Sequence, residues 1–176
     1  MQEHPLVAVT VIGNDRPGIV AAVTKALYEA GCNLEDVTST ILRGHFSMVL
    51  VVRSFRADAT RLEDALAGAA RDLGLVVTAR PVGEAEAEPA TPTHMVSVYG
   101  ADHPGIVFRV TDALARLGAN VTDLTSRVIG PDEDPVYALM LEVSTERADD
   151  VGAALDELKQ SIGVEVSIHE IEPDVL

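Results

Sequence analysis

Residues 11–39 read VIGNDRPGIVAAVTKALYEAGCNLEDVTS, and residues 98–126 read VYGADHPGIVFRVTDALARLGANVTDLTS. Aligned without a gap at an offset of 87, the two segments agree at sixteen of 29 positions. The agreements include Gly13/Gly100, Asp15/Asp102, Pro17/Pro104, Gly18/Gly105, Gly31/Gly118, Asn33/Asn120 and Asp36/Asp123. Half of the 176-residue chain is 88 residues, so the repeating unit is a whole small domain. The expected boundaries are residues 1–80 for the first domain, 81–93 for a linker and 94–176 for the second domain. The linker follows from ARPVGEAEAEPATPT, where Pro81, Pro89 and Pro92 flank alternating Glu84, Glu86 and Glu88, a composition that favours an extended spacer.

Each half carries the same pattern. Leu6–Ile12 is apolar apart from Thr10 and predicts a strand. Pro17 is expected in the first turn of a helix whose apolar positions are Ile19, Val20, Val23, Leu27 and Ala30, with Gly31 ending it. A strand from Leu34 to Leu42, a hairpin turn at Arg43-Gly44-His45 and the strand FSMVLVV follow. A second helix presents Leu62, Leu66, Ala69 and Leu73, Gly74 ends it, and LVVTA closes the half. The second half matches with Val96–Tyr99, a helix through Ile106, Val107, Val110, Leu114 and Leu117, strands Val121–Ile129 and YALMLEV, a helix through Val151, Leu155, Leu158 and Ile162, and VEVSIHEI. The order βαββαβ, twice, predicts an α+β chain of two ferredoxin-like domains, each an antiparallel four-stranded sheet with two helices on one face. Strand FSMVLVV is apolar on both sides, so burial of both its faces is expected, the second cover coming from packing of the two halves together or, in addition, from a homo-oligomer.

Composition narrows the function. The formal net charge is −15, and the chain has three Phe, three Tyr and no Trp. Such a charge repels a phosphate backbone, and there are few rings for stacking bases, so direct nucleic-acid binding is excluded in the absence of a basic patch. No stretch approaches ~18 uninterrupted apolar residues, so no membrane span is expected. The start, MQEHPLVAVTVIGNDRPG, lacks the basic region and cleavage site of a secretory signal. With Cys32 as the sole cysteine, the expectation is a soluble cytoplasmic protein.

The loops GNDRPGIV and GADHPGIV join first strand to first helix in each half. The N–H groups of Gly18, Ile19 and Val20 point to the positive end of the helix dipole, a setting that suits a carboxylate or phosphate. With Asp15 beside it and Asn33 and Asp36 after the helix, the set fits a zwitterion, its carboxylate on the amides and its ammonium on the side chains. A purely structural alternative stands next to this: Asp15 capping the helix and Asn33 in a left-handed turn after Gly31.

The pattern D-x-P-G-I-V, an amphipathic helix and G-x-N-[LV]-x-D resembles the ACT domain, a small-molecule, usually amino-acid, binding regulatory module. The resemblance covers nearly the whole chain. Paired domains with Asn14-Asp15-Arg16-Pro17-Gly18-Ile19-Val20 and Gly31-Cys32-Asn33-Leu34-Glu35-Asp36 are similar to the glycine cleavage system transcriptional repressor group. The resemblance implies ligand contacts at Asp15, Arg16, Pro17, Gly18, Ile19, Asn33 and Asp36, and at Asp102, His103, Pro104, Gly105, Ile106, Asn120 and Asp123. His103 replaces Arg16, and Phe108-Arg109 replaces Ala21-Ala22, so the two sites need not share a ligand. It also implies a non-catalytic protein acting on a transcription factor or metabolic enzyme in response to an amino acid, with no direct contact to nucleic acid.

Two other functions compete with sensing. A constitutive interaction module with vestigial sites would keep the fold without the ligand. An enzyme would draw on Gly105-Ile106-Val107-Phe108-Arg109, which resembles the phosphate-cradling segment of acylphosphatases, with Arg109 and Asn120 as the active pair. Cys32 aligns with Ala119 and reads as a small core residue. His4, His45, His94, His103 and His169 share no ligand spacing, so neither a metal nor a cofactor is expected. Pro131-Asp132-Glu133-Asp134-Pro135 reads as a solvated hairpin extension with the oxygens to contact calcium.

Overall fold

Alternation along β1 (Leu6–Asn14) sets the layers: Val7, Val9 and Val11 are buried, and the residues between them face the other way. The computed structural model of the chain describes residues 4–83, 90–131 and 135–171. It divides into two compact units, Met1–Glu86 and Ala87–Leu176. The first continues with α1 (Ile19–Glu29), β2 (Cys32–Leu42), β3 (His45–Ser54), α2 (Ala59–Leu73) and β4 (Leu75–Val82). The second holds β5 (His94–Ala101), α3 (Ile106–Arg116), β6 (Asn120–Ile129), β7 (Val136–Ser144), α4 (Ala148–Ile162) and β8 (Val164–Glu170).

The sheets have the orders β2-β3-β1-β4 and β6-β7-β5-β8, all pairs antiparallel. Central β1 lies between β3 and β4, and its buried valines meet Met48, Leu50 and Val52 of β3 on the same face. Ile19, Val23 and Leu27 of α1 and Leu62 and Leu66 of α2 close the core from above, each contributing about 1.5–3 kcal/mol by leaving water. Ala70 and Leu73 also pack there; four residues beyond Leu66, Ala70 continues the face in place of the expected Ala69. Asp58 caps α2 by accepting the Arg61 N–H at 2.9 Å. The second core repeats this plan with Val96, Val98, Leu139, Leu141 and Val143 beneath Ile106, Val110, Leu114, Val151 and Leu155.

Within its own unit β3 is buried on its helix side only, and Val49 on the opposite side is 41% exposed, because two helices on one face of a sheet leave the other uncovered. The outer strand is covered on neither face. Val37 and Ile41 of β2 share the side of Leu50 and Phe46, yet they are 51% and 55% exposed, since β2 lies outside β3 beyond the reach of the helices. β4 also runs to Val82, into the segment read as linker, and Pro81 is accommodated there because β4 pairs only with β1.

A bulge interrupts each outer pair. Glu35 is the extra residue between Leu34, opposite Val52, and Asp36, opposite Val51; Thr122 is its counterpart between Val121 and Asp123. Arg43 and Gly44, with φ of 49° and 81°, form the two-residue turn joining β2 to β3.

Gly13 and Gly100 sit where β1 and β5 pass the starts of β4 and β8. A Cβ on Gly13 would stand 2.6 Å from Leu75 Cδ2 and 3.2 Å from the Gly74 carbonyl oxygen. Gly13→Ala is therefore expected to cost about 1–3 kcal/mol in urea unfolding. Gly18→Ala meets open space but a φ of 95°, and is expected to cost about 1 kcal/mol from backbone strain alone. If Gly18→Ala proves the more damaging, the close approach at Leu75 is not what requires Gly13.

Candidate functional site

The loop from β1 to α1 has a different start from the one expected. Gly18 is the N-cap, with φ of 95°, and α1 begins at Ile19. Pro17 lies before the cap, outside the helix, because the left-handed turn at Gly18 separates it from the first helical residue. No side chain caps α1, so Asp15 does not serve as its cap. Asp15 instead donates its backbone N–H to the Gly44 carbonyl at 2.8 Å, which ties the loop to the β2–β3 turn. Asp15, Arg16, Pro17 and Gly18 are exposed, whereas the Ile19 side chain is in the core. Ile19 and Ile106, each 2% exposed, can thus offer a ligand no more than their backbone.

The second copy repeats the cap at Gly105, with φ of 98°, and leaves Asp102 and Pro104 exposed. His103 differs from Arg16 in kind. Its Nε2 lies 3.0 Å from the carbonyl oxygen of Ile162, the last residue of α4, and its Nδ1 lies 3.3 Å from the Pro104 carbonyl. With Nε2 donating to Ile162, His103 anchors the loop to the end of α4.

Asn33 and Asp36 stand at the far end of the unit from this loop. Asn33 pairs with Arg53, and Arg53 with Leu6 at the start of β1, while Asp15 follows Asn14 at its end. The nine residues of β1, at ~3.3 Å each, separate them by roughly 26–30 Å. The expectation that one ligand touches both the loop and Asn33 within a unit is overturned: the antiparallel order brings the chain back down through α1 before β2 begins. Asn120 and Asp123 stand in the same relation to Asp102. Nor does Asn33 adopt a left-handed turn; among described non-glycine residues only Arg43 has positive φ.

In the first unit the Asn33 Nδ2 donates to Glu35 Oε1 at 3.2 Å, and Arg53 Nε reaches the same oxygen at 3.2 Å. Asp36 accepts the Val37 N–H at 2.8 Å. Asp123 lies on the open sheet face opposite Glu142. Asn120, by contrast, lines a cleft of about 580 Å³ with Thr91, Thr93, Thr145, Glu146 and Arg147. Thr93 organises its floor: the hydroxyl accepts the Thr145 N–H at 3.1 Å and lies 3.2 Å from the Thr145 carbonyl oxygen. Sequence reading missed these residues, since the contact joins positions on either side of the repeat's long core and no local motif marks it.

Cys32 is half-buried, and burial pushes its thiol pKa up, with a hydrogen bond involving Ser54 partly opposing the shift. Arg109 is exposed on α3, and Asn120 follows the other end of that helix, about 16 Å away along its axis. The acylphosphatase pairing is therefore not assembled. Among the described residues no group of His, Cys, Asp and Glu is placed to hold a metal ion. The acidic extension Asp132, Glu133 and Asp134 lies outside the described residues.

Two outcomes follow. His103→Ala should destabilise the second unit by about 1 kcal/mol and speed amide exchange in the loop at residues 102–105, whereas a change confined to the first unit would refute the anchor. Because the Cys32 thiol pKa is raised, alkylation by iodoacetamide at pH 8 should be slower than for a free thiol, and Ser54→Ala should slow it further by removing the one opposing influence.

Models of the ACT domain match residues 5–80 and 94–163. The chain is 26% identical over 152 residues to the glycine cleavage system transcriptional repressor of Escherichia coli, covering 86% of this chain and 80% of that protein. It is 30% identical over 141 residues to phosphoserine phosphatase SerB2 of Mycobacterium tuberculosis, a match covering 78% of this chain and 34% of that enzyme. A crystal structure of an unknown protein from Galdieria sulphuraria superposes with a TM-score of 0.80 at 27% identity, over 96% of this chain and 99% of that one. With an ACT domain in each of its repeats, the chain belongs to the ACT domain family.

Proposed function

We propose that this chain is a non-catalytic regulator that binds an amino acid or similar small zwitterion and passes the binding on through contact with another protein. The observation that carries it is the loop repeated in both units. An exposed acid, Asp15 or Asp102, stands beside an uncapped helix start, and open space surrounds the position where Gly18 or Gly105 would carry a side chain. A ligand carboxylate approaching Gly18 or Gly105 meets backbone N–H groups at the positive end of a helix dipole, and its ammonium meets the acid. Arg16 flanks the first loop, and Pro17 and Pro104 hold the loops in shape. Asn33 with Asp36, and Asn120 with Asp123, form a second set at the other end of each unit, so a ligand bound within one unit uses one set or the other.

The E. coli relative is a transcriptional repressor by name, and by that likeness the partner proposed here is a transcription factor or a metabolic enzyme. The net charge of −15 favours a protein partner over nucleic acid. No described helix is long and apolar enough to cross a membrane. Apolar side chains exposed on the open sheet faces, among them Ile12, Val49 and Val76 in one unit and Tyr99 and Met140 in the other, favour a homo-oligomer.

Thermal shift and calorimetry of the whole chain against the twenty amino acids test the reading. At least one should raise the melting temperature, and a ligand at 100 times its Kd should stabilise by about 2.7 kcal/mol. If none binds, sensing fails and the constitutive interaction module takes its place.

A further inference from the structure

Register lays out the open face of the second sheet in three rows across its strands. Asp123 pairs with Glu142 and Glu142 with Met95, Thr125 with Met140 and Met140 with Ser97, and Arg127 with Ala138 and Ala138 with Tyr99. Strand β8 extends these rows with His169 beside Met95, Ser167 beside Ser97 and Glu165 beside Tyr99. Two features of this layout are unfavourable in a single copy. Asp123 and Glu142 are like charges directly opposite one another, about 5 Å apart at Cβ, which destabilises a strand pair. Tyr99 and Met140, on the two central strands, stay 41% and 43% exposed around a shallow hollow of about 440 Å³. Among the described residues, the side chains of Asp123, Glu142 and Arg127 have no ion pair or hydrogen bond. The first unit places Asp36 against Val51 and Thr40 against Ser47, so both the carboxylate pair and the arginine are missing from those positions.

We propose that two copies of the chain join at this face, sheet against sheet, about a two-fold axis lying across the strands at the row of Thr125, Met140 and Ser97. This rests on the homo-oligomer reading above and gives it a surface and a symmetry. Such an axis turns each outer row onto the other and leaves the middle row on itself. Asp123 and Glu142 then face the partner's Arg127, whose guanidinium binds carboxylates in a bidentate fork and relieves the like-charge pair. Tyr99 faces the partner's Met95, sulfur against an aromatic ring, and Met140 meets the partner's Met140 in the hollow. On β8, His169 faces the partner's Glu165. Every contact is made twice, as an isologous interface requires. An axis running along the strands would set Glu142 on the partner's Met95 and leave the two carboxylates unrelieved, so the charges select the transverse axis. Four strands at ~4.8 Å and the seven residues of β8 at ~3.3 Å give a face of roughly 19 by 23 Å, so two copies cover on the order of 900 Å² of sheet, the range of weak, reversible association.

Sedimentation velocity of the full chain over a dilution series decides it. The unaltered chain is expected to dimerise with a Kd in the micromolar range. Arg127→Glu makes the charged positions of β6 and β7 on this face all acidic, and Asp123→Lys/Glu142→Lys makes them all basic. Each should weaken self-association by about tenfold or more, while circular dichroism and urea unfolding report a folded chain. Mixed in equal amounts, the two variants should restore the dimer, since each supplies the charge that the other lacks. Arg80→Glu, on the open face of the first unit, should leave association within about twofold. If the chain dimerises but Arg127→Glu does so equally well, or the mixture stays apart, this face is overturned and the homo-oligomer stands on another surface. If the unaltered chain is monomeric throughout the series, the homo-oligomer reading itself falls and takes this face with it.

Discussion

Everything in each unit depends on a central strand that is apolar on one side and closely approached at one end. Val7, Val9 and Val11 place the whole core on a single face of β1, and both helices then have one surface to cover. The same strand must let Leu75 close over its end at Gly13, because β4 starts immediately after the helix turn at Gly74. Val96, Val98, Gly100 and Val164 reproduce that arrangement in the second unit. Identity between the repeats is concentrated in the stretch running from this strand through α1 or α3 into the outer strand, where the packing leaves least latitude.

Most of the fold was legible because its causes are local. Helical spacing in Ile19, Val23 and Leu27, the glycines after the helices and the hairpin at Arg43-Gly44 each act over a few residues, and the repeat tested each reading twice. What escaped depends on distance through space. FSMVLVV is apolar on both sides, but the sequence does not say what covers the side that the two helices of its own unit leave open. The joining of Asp15 to Asn33 within one unit failed for a related reason. Asp15 and Asn33 are eighteen positions apart, but an intervening helix carries the chain the full length of the sheet, so residues near in order stand at opposite ends. His103 was legible as a departure from Arg16, yet its bond to Ile162 joins positions 59 apart and no local pattern announces it.

The duplication therefore preserved a scaffold and released its margins. Most core positions are matched, from Val9/Val96 and Val11/Val98 to Leu62/Val151 and Leu66/Leu155, whereas the loop residue at Arg16 and His103, the strand ends at Arg53 and Ser144, and the turns between outer strands have diverged. A regulator gains from that division. A ligand changes the protein's output only if it binds one arrangement of its surfaces better than another, and the exposed strands and sheet faces are the surfaces free to differ.

The bulge at Glu35 and Thr122 has a bearing on how such a margin changes without harm to the centre. A strand normally keeps its faces only if its length is constant, since adding or removing one residue turns every later side chain over. Here Leu34 faces the core side and Asp36 the other, as they would if Glu35 were missing, because the extra residue is absorbed outside the pairing. The outer strand therefore has one position at which its reading frame is free. Loss of the residue there would keep Leu34 opposite Val52 and Asp36 opposite Val51, and so leave the inward and outward assignment of the whole strand intact.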